Sequence, residues 1–386
     1  MASTEDSVLE SVQEYYGKIL KTSSDLKTNV CKTACNKMPA HVLDALKKVH
    51  EEVNTRYYGC GLVIPECLDG ASVLDLGCGT GRDCYIISQL VGENGHVTGI
   101  DMTDEQLQVA NQYVSWHMEK FGYTKPNIKF LKGYIETLGS AGVQPDSYDV
   151  IVSNCVVNLS PNKEAVLREA FKALKPGGEL YFSDVYCNQD LAAHVRKNQI
   201  LWGECIGGAL YWKDLVKIAM ECGFSCPRLI NASEIQIEQQ ELQEVLGLAR
   251  FVSATYRLFK LPHDRKEECV VTYDGKLAGS HQTFEMDHMT KFIAGEKREV
   301  DAELSSILLL SRFNKHFKFS PSTGMTHDPD PFKYANLVGN VGTGKNLAPE
   351  DMAFPPCKRT VDDRPVKSTS GCRKCCSFEG NAPGCV

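Results

Sequence analysis

From residue 72 the chain alternates two hydrophobic rhythms. SVLDLG, HVTGID, IKFLKG, YDVIVSN and GELYFSDV are short apolar runs rich in Val, Ile and Leu, the pattern of parallel strands covered on both faces. Between them stand RDCYIISQLV, DEQLQVANQYVSWHMEKFG and KEAVLREAFKALKPGG, whose apolar residues recur at helical spacing. The Lys-Pro-Gly-Gly end of the last is a helix stop followed by a strand. This βαβ alternation predicts an open α/β sheet with helices on both faces. FVSATYRLFK alternates residue by residue and predicts a final antiparallel strand. The sheet domain is expected over residues 71–262.

The flanks read differently. Residues 1–70 form a helical extension, with DSVLESVQEYYGKIL and HVLDALKKVHEEVNTRYYG at helical spacing on either side of a polar loop that carries Cys31 and Cys35. Residues 263–335 mix strand-like runs, an Asp-Gly turn in ECVVTYDGKLAGS and a helix in DAELSSILLLSRF, which predicts a small α+β domain. Residues 336–386 are Gly/Pro-rich, polar and end in SGCRKCCSFEGNAPGCV, the composition of a flexible Cys-rich tail. GNVGTGKN, Gly339–Asn346, imitates a phosphate-binding loop. It lacks the Ser or Thr after the lysine and the preceding strand, and Pro349 interrupts any following helix.

Composition narrows the function. Hydrophobic residues make up 42% and charged residues 24%, ordinary for a soluble globular chain. The net charge of −7 argues against nucleic-acid binding. No apolar run reaches membrane-spanning length, and the acidic start MASTEDSVLE does not resemble a secretory signal. A cytoplasmic monomer is expected. The outlier is cysteine, with 17 residues. Without an export signal these do not read as a disulfide framework, so most are expected to be small core residues.

VLDLGCGTGRD follows one strand and precedes a helix. Gly77, Gly79 and Gly81 permit a tight turn with close backbone approach to a ligand. Asp101, at the end of the second strand, can accept both hydroxyls of a ribose. The spacing is not the Gly-x-Gly-x-x-Gly of dinucleotide binders, and Asp75 at the strand end would repel a pyrophosphate. The turn instead resembles the first motif of class I S-adenosylmethionine-dependent methyltransferases, and LKPGGELYFSD resembles a later motif of that superfamily. Its likeness spans about residues 60–260. It implies adenine contacts at Ile135 and Glu136, in GYIETL.

Three cysteines lie in short distinctive contexts: Cys60 in RYYGCGLVIPE, Cys155 in VSNCVVNL and Cys205 in LWGECIGGALYW. Cys155 is expected at the carboxyl end of the fourth strand, the end that faces the ligand crevice in such sheets. Together with the glycine turn, these segments closely resemble the arsenite methyltransferases, over nearly the whole chain. The resemblance implies that Cys60, Cys155 and Cys205 coordinate trivalent arsenic, free or as a glutathione conjugate. It also implies that Tyr58, Gly59, Met102 and Asn154 join the cofactor site. Cys31 would be a fourth, redox-active member forming a disulfide with Cys60, reopened by thioredoxin or glutathione. Cys35 departs from the family pattern and competes with Cys31 for that role.

The chemistry agrees. Arsenic(III) is soft and thiophilic. Held by thiolates, it keeps a lone pair that can attack a methyl carbon in line, and such a nucleophile carries no proton, so no general base is needed. Mono-, di- or trimethylated products would follow. Two other readings stay open: a quinone- or sterol-type C- or O-methyltransferase with structural cysteines, and a non-catalytic thiol-rich metalloid-binding protein.

Overall fold

The computed structural model describes residues 4–20, 25, 38–262 and 266–322. Cys31, Cys35, Gly339–Asn346 and the Cys-rich tail lie outside these. The described residues belong to one compact unit.

The main sheet is built from β1 (Ser72–Leu76), β2 (His96–Asp101), β3 (Ile128–Lys132), β4 (Tyr148–Asn154), β5 (Leu174–Cys187), β6 (Leu210–Tyr211), β7 (Arg228–Ile235) and β8 (Phe251–Phe259). Their order is β3-β2-β1-β4-β5-β8-β7, with β6 paired to the end of β5. The first five are mutually parallel, and β8 runs antiparallel to both β5 and β7. The strand order reverses at β1, whose neighbours are β2 and β4, so the crevice for a ligand opens at their carboxyl ends.

The apolar strand runs are explained by burial on two sides. Val73, Val150, Val152 and Tyr181 pack with the helix Arg82–Val91. Leu74, Ile151, Leu180 and Phe182 pack with the helices Lys163–Ala173 and Trp212–Glu221. Alternate residues of each strand thus feed opposite cores.

Several expected helices are divided. DEQLQVANQYVSWHMEKFG becomes Asp104–Gln112 and Val114–Phe121, broken at Tyr113. HVLDALKKVHEEVNT becomes Ala40–Leu46 and Glu51–Thr55, with His50 as the cap whose Nδ1 accepts from Glu52 N. The two breaks dock together. His50 N donates to His117 Nε2 (3.1 Å), His117 Nδ1 lies 2.7 Å from the Tyr113 carbonyl, and its ring stacks on Tyr85. This pattern requires the neutral Nδ1–H tautomer. Burial pushes the imidazole down to about 4. The unfolded chain therefore binds this proton first as pH falls, and the stability it withholds is intact above about 6.5 and lost toward 4. Urea midpoints should decline across that window. His117→Phe, less stable at pH 7.5, should show a shallower decline; an equal slope would remove His117 from the acid response.

The C-terminal strands form separate sheets. β9 (Cys269–Tyr273) lies between β12 (Lys297–Val300) and β13 (Phe317–Pro321), both antiparallel to it, while β10 (Thr283–Asp287) and β11 (Thr290–Ile293) make a hairpin. The Asp-Gly turn expected to join neighbouring strands does not close a hairpin: after Asp274-Gly275 the chain leaves β9, whose partners come from residues 297–321. The helix Ala302–Leu310, capped by Asp301, covers this sheet through Leu304, Ile307 and Leu308. The same core takes in Phe259 of β8, so the small α+β part shares packing with the main sheet. Among the described residues no helix is long and apolar enough to cross a membrane.

Candidate active site

The turn after β1 is tied to the end of β2. Gly77 N and Cys78 N donate to the Ile100 carbonyl (2.8 and 3.0 Å), and Gly79 N donates to Asp101 Oδ2 (2.9 Å). Gly77 is at φ +68°, and a Cβ there would meet Val156 at 2.4 Å; one on Gly79, at φ +53°, would meet nothing within 4 Å. The first glycine lets the chain pass beneath the β4 end, and the second leaves space open in front of it. Asp101 Oδ1 accepts from Thr103 N (2.8 Å). Burial pushes the Asp101 carboxyl above the usual range, against the pull of these N–H donors. Asp75 is pushed well above it by burial and by the nearby Asp83, while Cys84 Sγ donates to its Oδ2 (3.1 Å).

A cavity of about 960 Å³ opens here. It is lined by Tyr58, Gly59, Asp75, Gly77, Gly79, Asp101, Met102, Ile135, Glu136 and Asn154. All were expected around one ligand. Gly81 is the exception: at φ +84° it turns the chain into the helix Arg82–Val91. Burial pushes the Tyr58 phenol up to about 12. Glu136 accepts from Ser160 Oγ.

The structure adds residues that the sequence reading missed. Leu9, Val12 and Tyr16, from the helix Thr4–Glu14 and the π-turn after it, form a wall of the cavity. The segment is held by Gln13 Nε2 to the Met102 carbonyl (3.0 Å), Tyr16 OH to the Gly203 carbonyl (2.8 Å) and Tyr15 OH to Glu204 Oε1 (2.6 Å). Gln106 is buried, donates to the Tyr16 carbonyl (2.8 Å) and leaves its Oε1 without a partner, on the cavity wall. No motif marks Gln106; only its place in the first turn of the helix after Asp101 could have suggested it.

At one end of the cavity the cysteines meet. Cys155, the residue after β4, lines it. The structure joins Cys155 to Cys60 as a disulfide, Cα atoms 5.7 Å apart. Cys60 was expected to pair with Cys31; its partner here is Cys155, and Cys31 lies outside the described residues. Cys205 Sγ donates to the Cys155 carbonyl (3.1 Å). One ligand atom each from Cys155, Cys205 and Asp184 lie within 4.8 Å of one another. All three thiol residues are nearly fully buried, in a cluster with Val12, Leu159, Val185, Leu201 and Ile206. Both Cys155 (φ +58°) and Cys205 (φ +64°) have left-handed backbones, uncommon for residues bearing a Cβ.

Polar neighbours hold this arrangement. Asn154 Oδ1 accepts from Cys60 N (3.0 Å) and Gly61 N (3.2 Å), and its Nδ2 donates to the Gly61 carbonyl (2.9 Å). Asn154 was expected as a cofactor contact. It reaches the cavity, but its amide is spent on clamping the Cys60 turn to β4. Ser253 Oγ on β8 donates to the Cys60 carbonyl (3.0 Å). Asp184, unmarked in the sequence, accepts from Val185 N (2.8 Å) and Asn158 N (2.9 Å). Burial pushes its carboxyl up to about 7 and pushes the Lys163 ammonium down to about 8.

Sheet order, glycine turn and the acid closing β2 define a class I S-adenosylmethionine-dependent methyltransferase. The residues suit that cofactor: Asp101 offers a carboxylate and Gln106 an unpaired buried acceptor, both on the cavity wall. A methyltransferase domain family matches residues 68–245, and an arsenite methyltransferase C-terminal domain matches residues 266–348. Arsenite methyltransferases from Mus musculus and Homo sapiens are 50% and 52% identical, over 86% and 83% of this chain and 92% and 86% of theirs. The crystal structure of an arsenic(III) S-adenosylmethionine methyltransferase from Chlamydomonas reinhardtii superposes with a TM-score of 0.72 at 41% identity, covering 75% of this chain and 98% of that one. The chain belongs to the arsenite methyltransferase family.

Proposed function

We propose that the protein methylates trivalent arsenic held by the thiolates of Cys60, Cys155 and Cys205. The observation that carries this reading is the convergence of these residues in an apolar cluster, with Cys155 opening onto the cofactor cavity. Bound S-adenosylmethionine supplies an electrophilic methyl group on a sulfonium. The chain's residues do the rest by placement. Asp101 and Gln106 offer acceptors to the nucleoside, and Asp75, whose charge a neighbouring cation would restore, suits the amino-acid tail. Three sulfurs satisfy the valences of arsenic(III) and leave its lone pair unused. The surrounding Val, Leu and Ile side chains exclude water from the acceptor.

The disulfide between Cys60 and Cys155 must open before three thiolates exist. Two external thiols supply the two electrons, leaving as one disulfide and passing their protons to the protein sulfurs. We assign that reductant to thioredoxin or glutathione and the substrate to arsenite or its glutathione conjugate. Cys31 is kept as the residue that forms a disulfide when arsenic is returned to the trivalent state. A reducing, cytoplasmic setting and a monomeric enzyme fit this cycle.

The test incubates the protein with arsenite, a thiol reductant and the methyl donor, then separates arsenic species. Methylated arsenic is expected only when the reductant is present. Methylation of a quinol or sterol precursor with none of arsenite would overturn the reading.

A further inference from the structure

The loop that carries Cys60 is held at two points. Its upstream side is clamped by Asn154. Its downstream side, six residues later, ends in a charge network with no part in the chemistry described so far. Glu66 Oε2 accepts from Arg257 Nη2 of β8 (2.7 Å), and the Glu66 carbonyl accepts from Arg312 Nε (2.9 Å). Cys67, at φ +60°, donates its Sγ to the Arg312 carbonyl (3.4 Å). Arg257 Nε also lies 2.9 Å from Glu179 Oε1 of β5, and Arg312 pairs with Glu179. Arg257 and Glu179 are completely buried. Two cations and two anions balance. The Arg312 guanidinium sits over Phe313, 4.5 Å from the ring centroid, and Phe313 belongs to the core of the C-terminal sheets.

Burying the Arg257 and Glu179 charges is costly, and apolar residues of similar volume often stabilise a fold as well or better. What such a network supplies is geometry: a planar guanidinium accepts partners in few directions. Here those partners are the Cys60 loop, the sheet and the segment after the helix Ala302–Leu310. We infer that Glu66, Arg257, Glu179 and Arg312 act together as positioning residues for Cys60, through which the C-terminal domain sets whether the third sulfur reaches the acceptor atom. This rests on the three-thiolate reading above.

Valence supplies the discriminating probe. Arsenite needs three sulfurs. An acceptor that already carries one As–C bond needs two, and Cys155 and Cys205 are held by their own backbones without the loop: Cys155 N donates to the Ser183 carbonyl (2.8 Å) and Cys205 N to the Trp202 carbonyl (3.0 Å). In the full-length chain, Glu66→Gln and Arg312→Met should raise KM for arsenite about tenfold, the scale of one lost charge-assisted hydrogen bond. KM for methylarsonite and Kd for the methyl donor should move less than about threefold. Arg312→Lys should recover part of the arsenite loss, because it restores the charge facing Glu179 but not the fork. Glu66 is partly exposed and its removal leaves Arg257, Glu179 and Arg312 paired, so this variant keeps the test open should Arg312→Met fail to fold. Equal losses for both arsenicals, or none for either, in variants still folded at the assay temperature would overturn the inference. Cys60→Ser is the reference. If it too fails to separate the two acceptors, the three-thiolate reading has failed first.

Discussion

Serine in place of Cys155 or Cys205 should abolish methylation of arsenite and methylarsonite alike. The substitution changes one atom in volume and much in chemistry. A hydroxyl is a hard, protonated ligand at neutral pH, whereas arsenic(III) takes soft thiolates. Either acceptor requires at least two sulfurs, and these are the two whose backbones are fixed by the fold: Cys155 N donates to the Ser183 carbonyl (2.8 Å), and Cys205 N donates to the Trp202 carbonyl (3.0 Å). Loss of a ligand here leaves the acceptor misplaced, and a displacement of about 1 Å already costs about 100-fold in rate. Turnover should fall by at least that factor, read as methylated arsenic per unit time. Cys205 does not line the cofactor cavity, so donor binding by calorimetry should survive Cys205→Ser and separate a missing ligand from a collapsed site. More than a tenth of parental turnover in either variant would sink the assignment.

Asp101→Ala should cost the cofactor at least about 100-fold in affinity. The carboxylate does two jobs at once. It accepts from Gly79 N and Thr103 N (2.9 and 2.8 Å), so it shapes the glycine turn, and it faces the cavity. Alanine orphans both donors, and hydrogen bonds to a charged group are each worth about 1.5–3 kcal/mol. The substitution also removes the acceptor expected for both ribose hydroxyls, and two such bonds lost to the cofactor correspond to factors beyond about 100 in Kd. Because burial raises the Asp101 carboxyl above its ordinary range, protonation begins at a higher pH than for an exposed aspartate. Donor affinity should therefore weaken on acidification through that raised range, and the variant should lose the dependence. Calorimetric titration with the methyl donor at several pH values measures both. A Kd within threefold of the parent at neutral pH would remove Asp101 from the site.

The centre of the main sheet was legible because β1, β2, β4 and β5 are buried on both faces and so spell themselves in largely apolar runs, whereas the edge strands β3 and β7 are partly exposed. The helix Arg82–Val91 matches its sequence expectation residue for residue. The breaks at His50 and Tyr113 were not, since both are imposed by a contact between segments far apart, the stacking and hydrogen bonding around His117. The hairpin expected at Asp274-Gly275 failed for a related reason. A turn signal says that the chain reverses, not which strand it returns to. At the site, the glycines and Asp101 could be placed because their spacing is a property of one turn. The contexts of Cys60, Cys155 and Cys205 pointed to a family, but their meeting depends on Asn154, Ser253 and the fold of the 199–209 segment. Asp184, Gln106 and Tyr16 carry no local signal; they matter through where the sheet and the N-terminal helix bring them.

The left-handed backbones of Cys155 and Cys205 set the protein's stability against its chemistry. A Cβ in that conformation costs on the order of 1–2 kcal/mol, a penalty glycine escapes. At these two positions the usual preference for alanine over glycine should reverse, and selection for a firmer fold would pull toward glycine, the residue that cannot hold the substrate. The thiols stand at the two points in the acceptor pocket where the chain would rest more easily without any side chain.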